Sequence, residues 1–209
     1  MTGTGFLFIL ITIVCLYFIR NHLDPVLRFL FPHRINHKKL DNFPKPDADL
    51  TKKLEESGFE FLGTRSEAIF LLWSHRFSVF IREGRITADI PPTSNMRGGY
   101  LATFWENGGC AMTRVGSTRT VSGDDYISRG VPSMSTITNL LAEHYKTETS
   151  LEKDEDPTTI DSVEKRIESA KKWYIRNGRT EMARAAVLGA ILAASFIAFW
   201  VYALIMLYY

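Results

Sequence analysis

Hydrophobic and polar positions are sharply segregated along this chain. Residues 6–19 and 185–209 contain no Asp, Glu, Lys, Arg or His, so every strongly charged side chain lies between Arg20 and Arg184. Counted from Thr2, the first stretch is about 18 uncharged residues, near the short end for a membrane span. The second is 25 residues, enough to span with tilt. A cleaved signal peptide fits the first stretch poorly, because no Lys or Arg precedes it and no small-residue cleavage site follows. The pattern therefore predicts a transmembrane anchor over residues 1–20 and a second transmembrane helix over 185–209. Trp200, Tyr202, Tyr208 and Tyr209 are amphipathic rings suited to the interface.

The intervening pattern is mixed. Residues 23–31 are apolar with few charges and follow the first span. They read as a short interfacial helix opened by Asp24 as N-cap and Pro25 at the first position. Residues 32–49, with the run Phe-Pro-Lys-Pro-Asp, read as an extended connector, so 21–46 form one interfacial and connecting segment. A short helix is expected over 49–57, with Leu50 and Leu54 on one face and Gly58 just past its end.

Strand patterns follow. Residues 59–64 alternate, and 69–73 are a short apolar run. Residues 77–82 and 85–90 flank Glu83-Gly84, and 100–105 and 110–115 flank a turn containing Asn107-Gly108. These predict a small antiparallel meander of about five strands. Two helices come next. Residues 133–146 place Met134, Ile137 and Leu141 at helical spacing. Asp156-Pro157 opens the second, with Ile160, Val163, Ile167, Ala170 and Trp173 on one face and Asn177-Gly178 as its end or kink. The polar, acidic stretch 147–156 is a surface linker. The expected fold is thus α+β: a domain over 47–157, an amphipathic helix over 158–184 leading to the membrane, and two or three soluble helices between two transmembrane ones.

Charge orients this arrangement. The chain has 25 Lys and Arg against 23 Asp and Glu, a net +2, too small to point to nucleic acid. Cations nevertheless crowd both membrane exits: Arg20, Arg28, Arg34, Lys38 and Lys39 after the first span, and Lys171, Lys172, Arg176, Arg179 and Arg184 before the second. By the positive-inside rule both flanks are cytoplasmic and both termini lie outside. These basic residues are expected to form a collar against anionic headgroups, each contributing on the order of 1 kcal/mol near the surface. The two cysteines, Cys15 and Cys110, lie in unrelated segments, and no N-x-S/T sequon occurs, as expected of a non-secreted domain.

The C-terminal apolar segment carries small residues in register. Ala186, Ala190, Ala194 and Ala198 form one row, and Ala185, Gly189 and Ala193 the next. Such rows let another helix backbone approach closely. Neither span contains a charged group for an ion pathway or proton relay, which argues against transport by this chain alone.

Catalytic signatures are missing from the sequence. There is no phosphate-binding glycine loop, nucleophile elbow, H-E-x-x-H pair, EF-hand loop or C-x-x-C. Cys110, with His75 or His144 as base, would be a thiol nucleophile, but a core-facing cysteine on a hairpin explains the same residue. Asp124-Asp125 reads as a turn rather than a cation site. His22, His33 and His37 read as part of the basic collar rather than as ligands, and Arg114, Arg119 and Arg129 as members of a solvated loop. No catalytic, cofactor or metal site is therefore expected. The expected role is that of a non-catalytic accessory subunit of a larger integral-membrane complex. Its partners would be the lipid bilayer and other membrane subunits. The alternative is a membrane-tethered module that recruits a cytosolic partner.

Overall fold

The computed structural model of the chain describes residues 3–41, 46–69, 74–93, 95–151 and 155–208. Residues 70–73 of the apolar run, 42–45 of the connector, 152–154 of the acidic linker and Tyr209 lie outside the described residues, as does the side chain of Tyr208.

Both hairpins read from the sequence are present. β3 (His75–Arg82) and β4 (Ile86–Ile90) are joined through Glu83 and Gly84, at φ of 56° and 67°. Two successive positive φ values match the twist of a tight hairpin, and Gly84 accepts that conformation without cost. β5 (Tyr100–Phe104) and β6 (Cys110–Val115) are joined by a turn in which the Asn107 side chain accepts the Gly109 N–H at 2.8 Å. β2 (Glu60–Ile69) pairs with β3 and extends past residues 59–64.

The sheet is larger than the five-stranded meander. β1 (Ile35–Leu40), β7 (Thr120–Gly123) and β8 (Tyr126–Val131) complete eight strands in the order β1-β2-β3-β4-β5-β6-β8-β7. β8 inserts between β6 and β7 and runs parallel to β6, so the sheet is mixed. β1 lies within the expected connector. It is an edge strand whose Lys38 and Lys39 are exposed while Ile35 and His37 are buried.

Alternation along the strands builds a core on each face of the sheet. On one face Phe80, Ile86, Ala88, Ile90 and Leu101 pack with Leu50 and Leu54 of α2 (Ala48–Glu56) and Leu140 and Leu141 of α3 (Ile137–Thr149). On the other, Ala102, Phe104, Cys110, Met112 and Tyr126 pack with Trp173 and Tyr174 of α4 (Val163–Tyr208). Caps fix where these helices begin. Thr136 accepts the Asn139 N–H, so α3 starts at Ile137 and Met134 stands 92% exposed, off the apolar face expected for it. Ser162 accepts the Lys165 N–H. The segment before it is held extended instead of starting a helix at Pro157, with Thr158 and Ile160 donating to Phe104 and Gly84 carbonyls.

Two expected helix breaks are absent. α1 (Gly3–Leu30) runs through Pro25, and α4 is one helix of 46 residues, about 69 Å long, that runs through Asn177 and Gly178. Gly178 serves as a point of close approach: a Cβ there would lie 3.1 Å from the Tyr174 ring and 3.8 Å from Pro32. Asn177 is tied to the Gly108 carbonyl at 3.0 Å. α1 and α4 form an antiparallel pair. Trp200 donates to Thr12 at 3.2 Å, Phe18 stacks on Phe196 at 4.7 Å, and Gly189 lies against the His22 carbonyl. Both helices are long and apolar enough to cross a membrane. The outward side chains of their apolar halves, among them Phe6, Ile13, Val187, Ile191 and Phe199, are exposed.

Candidate functional site

The most chemically dense region lies on the α4 face of the sheet, next to the end of α1. Strand alternation places Arg65 and Glu67 of β2, Asp89 of β4 and Tyr100 of β5 on this face. α4 lays Arg166 and Tyr174 over them, and α1 adds Asp24 and Arg28. Arg65 and Asp89 are fully buried and Arg166 is 1% exposed. Burial of three arginines is tolerated here because three carboxylates balance them and seven of their nine guanidinium nitrogens donate, leaving Arg28 Nη2 and Arg166 Nη1 without a partner among the described residues.

Asp89 is the hub. Arg65 Nε donates to its Oδ2 at 2.6 Å. Arg166 Nε donates to Oδ1 at 3.0 Å and its Nη2 to Oδ2 at 3.2 Å. The Tyr100 hydroxyl receives Arg65 Nη2 at 2.6 Å and Arg166 Nη2 at 3.1 Å, and donates to Asp89 at 3.2 Å. Glu67 is the second hub. It accepts from Arg65 at 3.0 Å, Arg28 at 3.1 Å and the Tyr174 hydroxyl at 2.8 Å. Arg28 also binds Asp24 at 2.9 Å within α1, so the Arg28–Glu67 bond joins this pair to the sheet. The Arg166 guanidinium lies 4.4 Å over the Phe104 ring and that of Arg65 4.9 Å over Phe77.

Electrostatics follow from this geometry. Burial alone would raise both carboxyls; the surrounding guanidiniums outweigh it and hold Asp89 and Glu67 below the usual carboxylate range. Burial pushes the Tyr100 hydroxyl up, so it stays protonated and able to donate. His37 of β1 faces Glu67 at 4.0 Å, beyond hydrogen-bond reach, and neither ring nitrogen has a partner among the described residues. Burial, reinforced by Arg65, Arg166 and Lys171, pushes its imidazole down to about 4, with Glu67 opposing. A smaller cluster lies further along α4. Glu181 accepts from Arg114 of β6 and, at 2.6 Å, from the buried Tyr126 hydroxyl of β8.

The sequence-selected residues fall into distinct places. In the small-residue rows, Ala186, Gly189 and Ala193 are buried against α1 and Ala185 is half-buried. Ala190, Ala194 and Ala198 are exposed, on the side of α4 away from α1. Among the collar residues, Arg28 is buried in the ion network. Lys39 pairs with Glu164, Lys172 with Glu106 and Glu168, and Arg176 with Asp125. Arg20 is half-buried; Arg34, Lys38, Lys171, Arg179 and Arg184 are exposed.

Cys110 is fully buried on the α4 face, and burial raises its thiol. His144 lies on the opposite face, between the Thr103 and Thr113 hydroxyls at 3.0 and 3.1 Å, and His75 sits at Asp24, so neither histidine meets the cysteine. Asp124 and Asp125 form the β7–β8 turn. His22 stacks on Phe196, His33 is exposed, and His37 is buried under α4, so the three do not converge. Arg114 and Arg129 lie on β6 and β8, with Arg119 in the connection, so they do not form the single solvated loop expected. The Arg65–Asp89–Arg166 network lies outside the expected sites. Its one sequence signal is charge at alternate, inward positions of otherwise apolar strands. Comparison with known protein families, curated proteins and solved structures finds no match for this chain.

Proposed function

We propose that the chain is a two-pass membrane protein serving as a non-catalytic structural subunit of a larger integral-membrane complex. In this reading the sheet domain lies on the cytoplasmic side and both termini on the other. The observation that carries it is the continuity of α4. One half of this helix is buried on the sheet through Arg166, Trp173, Tyr174 and Glu181, and the other half is apolar and packed on α1. A single helix with both ends committed holds the sheet at a fixed height and angle to the bilayer. Such rigidity suits a part of an assembly better than a tether that searches for ligand. The cationic flanks support the orientation, and the exposed Ala190, Ala194 and Ala198 offer room for a further helix.

The test is extraction of the full chain from its native membrane in mild detergent. Co-purification with stoichiometric membrane partners is expected, and recovery as a lone monomer would refute the reading. Cysteines placed at residue 3 and residue 53 should label from opposite sides of sealed vesicles.

The second reading, a membrane-tethered recruiting module, rests on a groove of about 730 Å³ beside α2, lined by Asp47, Leu50, Lys53, Met96, Met134 and Ile137. Under that reading M134E abolishes recruitment of a soluble protein to membranes while membrane partners stay bound.

A further inference from the structure

Where the helix pair leaves the sheet, acidic and basic side chains are sorted by direction. Between residues 20 and 40 the sole acid is Asp24, and between 169 and 184 it is Glu181. Both turn inward: Asp24 binds Arg28 at 2.9 Å and faces His75 at 3.5 Å, and Glu181 is 7% exposed between Arg114 and Tyr126. The cations Arg34, Arg179 and Arg184 point outward, exposed and without an ion pair among the described residues. Their elements meet. The turn at Pro32–Arg34 packs on α4 where Pro32 lies 3.8 Å from a Cβ at Gly178, adjacent to Arg179. Beside this turn Leu30 and Phe31 remain 48% and 38% exposed.

The depth also fits. About 20 residues of α1 from Gly3 cover roughly 30 Å, the thickness of the hydrocarbon layer. The antiparallel register, with His22 against Gly189, then puts Arg184 just below that layer. Arg34 and Arg179 lie about one turn further, within the reach of extended guanidinium side chains.

We propose that Arg34, Arg179 and Arg184 form a site for the phosphate groups of anionic phospholipids where the helix pair leaves the bilayer. This rests on the reading that α1 and α4 span a bilayer, and names the lipid class that their exit selects. An outward belt in which Arg34, Arg179 and Arg184 outnumber the exposed Asp124 of the β7–β8 turn beside Thr180, continuous with an apolar helix pair and flanked by exposed apolar side chains, is complementary to an anionic membrane surface. It excludes four members of the sequence-level collar, Arg28, Lys39, Lys172 and Arg176, because carboxylates of the chain already hold them.

The test uses the full chain in nanodiscs of phosphatidylcholine mixed with phosphatidylglycerol. The discs are stripped with mild detergent, and the chain is weighed with its retained lipid by native mass spectrometry. Phosphatidylglycerol should be retained roughly fivefold above its share of the disc, the preference one cation near the surface provides. R34Q/R179Q/R184Q should return that ratio to about one, and K52Q/R97Q, on exposed residues elsewhere, should leave it unchanged. A wild-type ratio near one overturns the proposal and leaves the belt to an acidic protein partner. A ratio that survives the triple variant also overturns it. If the triple variant does not insert, the wild-type salt response decides, since enrichment must fall with added sodium chloride and indifference to salt is contrary. Displacement by inorganic phosphate beyond the effect of equal ionic strength reassigns the site to a soluble phosphate compound. A chain recovered in the aqueous phase without detergent defeats the membrane reading itself; an inserted chain without lipid preference defeats this proposal alone.

Discussion

Arg166 of α4 grips Asp89 of β4 through two hydrogen bonds, at 3.0 and 3.2 Å, across 77 residues of sequence. Arg65 holds the same carboxylate from the other side at 2.6 Å, so one aspartate fastens the long helix to the middle of the sheet. Asp89→Asn leaves two buried guanidiniums facing a neutral amide. Removing one partner of a buried charged set costs about 3–5 kcal/mol. Arg166→Met should cost less than Asp89→Asn, because Asp89 keeps Arg65. Denaturant titration of tryptophan fluorescence, on the full chain in detergent, checks both. A D89N loss under about 1 kcal/mol would show that the network is not what seats α4.

Gly189 sets the approach of the two apolar helices. A Cβ at this position would lie 2.3 Å from the His22 carbonyl oxygen, a backbone atom that cannot swing away, and 3.2 Å from Pro25. Gly189→Val should therefore push the helices apart, at roughly 1–3 kcal/mol for the overpacking. The readout is cross-linking by a short bismaleimide between cysteines placed at Thr12 and Trp200, since the Trp200 ring reaches Thr12 at 3.2 Å and its removal leaves a gap too wide for a disulfide. Cross-linking should fall sharply in the valine variant and persist in Ala190→Val, which alters an exposed position. Equal cross-linking in the two variants contradicts the packing.

Glu181 ties α4 to β6 and β8 through Arg114 and the Tyr126 hydroxyl at 2.6 Å. Tyr126→Phe should cost about 1.5–3 kcal/mol, the usual net value of a hydrogen bond to a charged group. Glu181→Leu should cost roughly 3 kcal/mol, since it strands Arg114 and a buried hydroxyl. Hydrogen exchange should locate the loosening in β7 and β8, and protection unchanged there would contradict this link.

The parts legible in the sequence were those where local chemistry and tertiary packing agree. Glu83-Gly84 and Asn107-Gly108 marked their hairpins because backbone conformation at a tight turn is decided locally. Leu50 and Leu54 marked α2 for a similar reason. Three strands were missed. β1 is a lysine-bearing edge, β7 is short and polar, and β8 pairs in parallel with β6, which only long-range contacts determine. Pro25 and Gly178 are local helix breakers by propensity, yet neither ends its helix. Pro25 instead sits in the α1–α4 contact and Gly178 where the Pro32–Arg34 turn meets α4, and at both places packing outweighs propensity. The ion network was hidden because its members are spread from Asp24 to Tyr174. No spacing rule connects Arg65 to Asp89 and Arg166.

Acid should weaken the fold in two stages. Buried His37 and His144 have imidazoles pushed down from 6.5 to about 4 and about 3, the first by burial with Arg65, Arg166 and Lys171, the second by burial with Arg85. A histidine whose folded value is depressed takes up its proton more readily in the unfolded chain. Its stabilisation is complete above pH 6.5 and declines as pH falls toward the folded value, by roughly 1.4 kcal/mol per pH unit for each histidine. Asp89 and Glu67, held low by their arginines against the effect of burial, act below this range. Their contribution is present above their unfolded values of 3.8 and 4.5 and is lost as pH falls further. The first stage should therefore begin near pH 6.5, before any buried carboxylate titrates. His37→Phe should flatten part of the first stage and spare the second, because it removes the imidazole facing Glu67 and Tyr174 and leaves both carboxylates paired. Denaturant midpoints measured from pH 8 to pH 2 check both stages. A wild-type midpoint constant between pH 7 and pH 5 means that water reaches these imidazoles and that α4 does not seal the sheet face over His37.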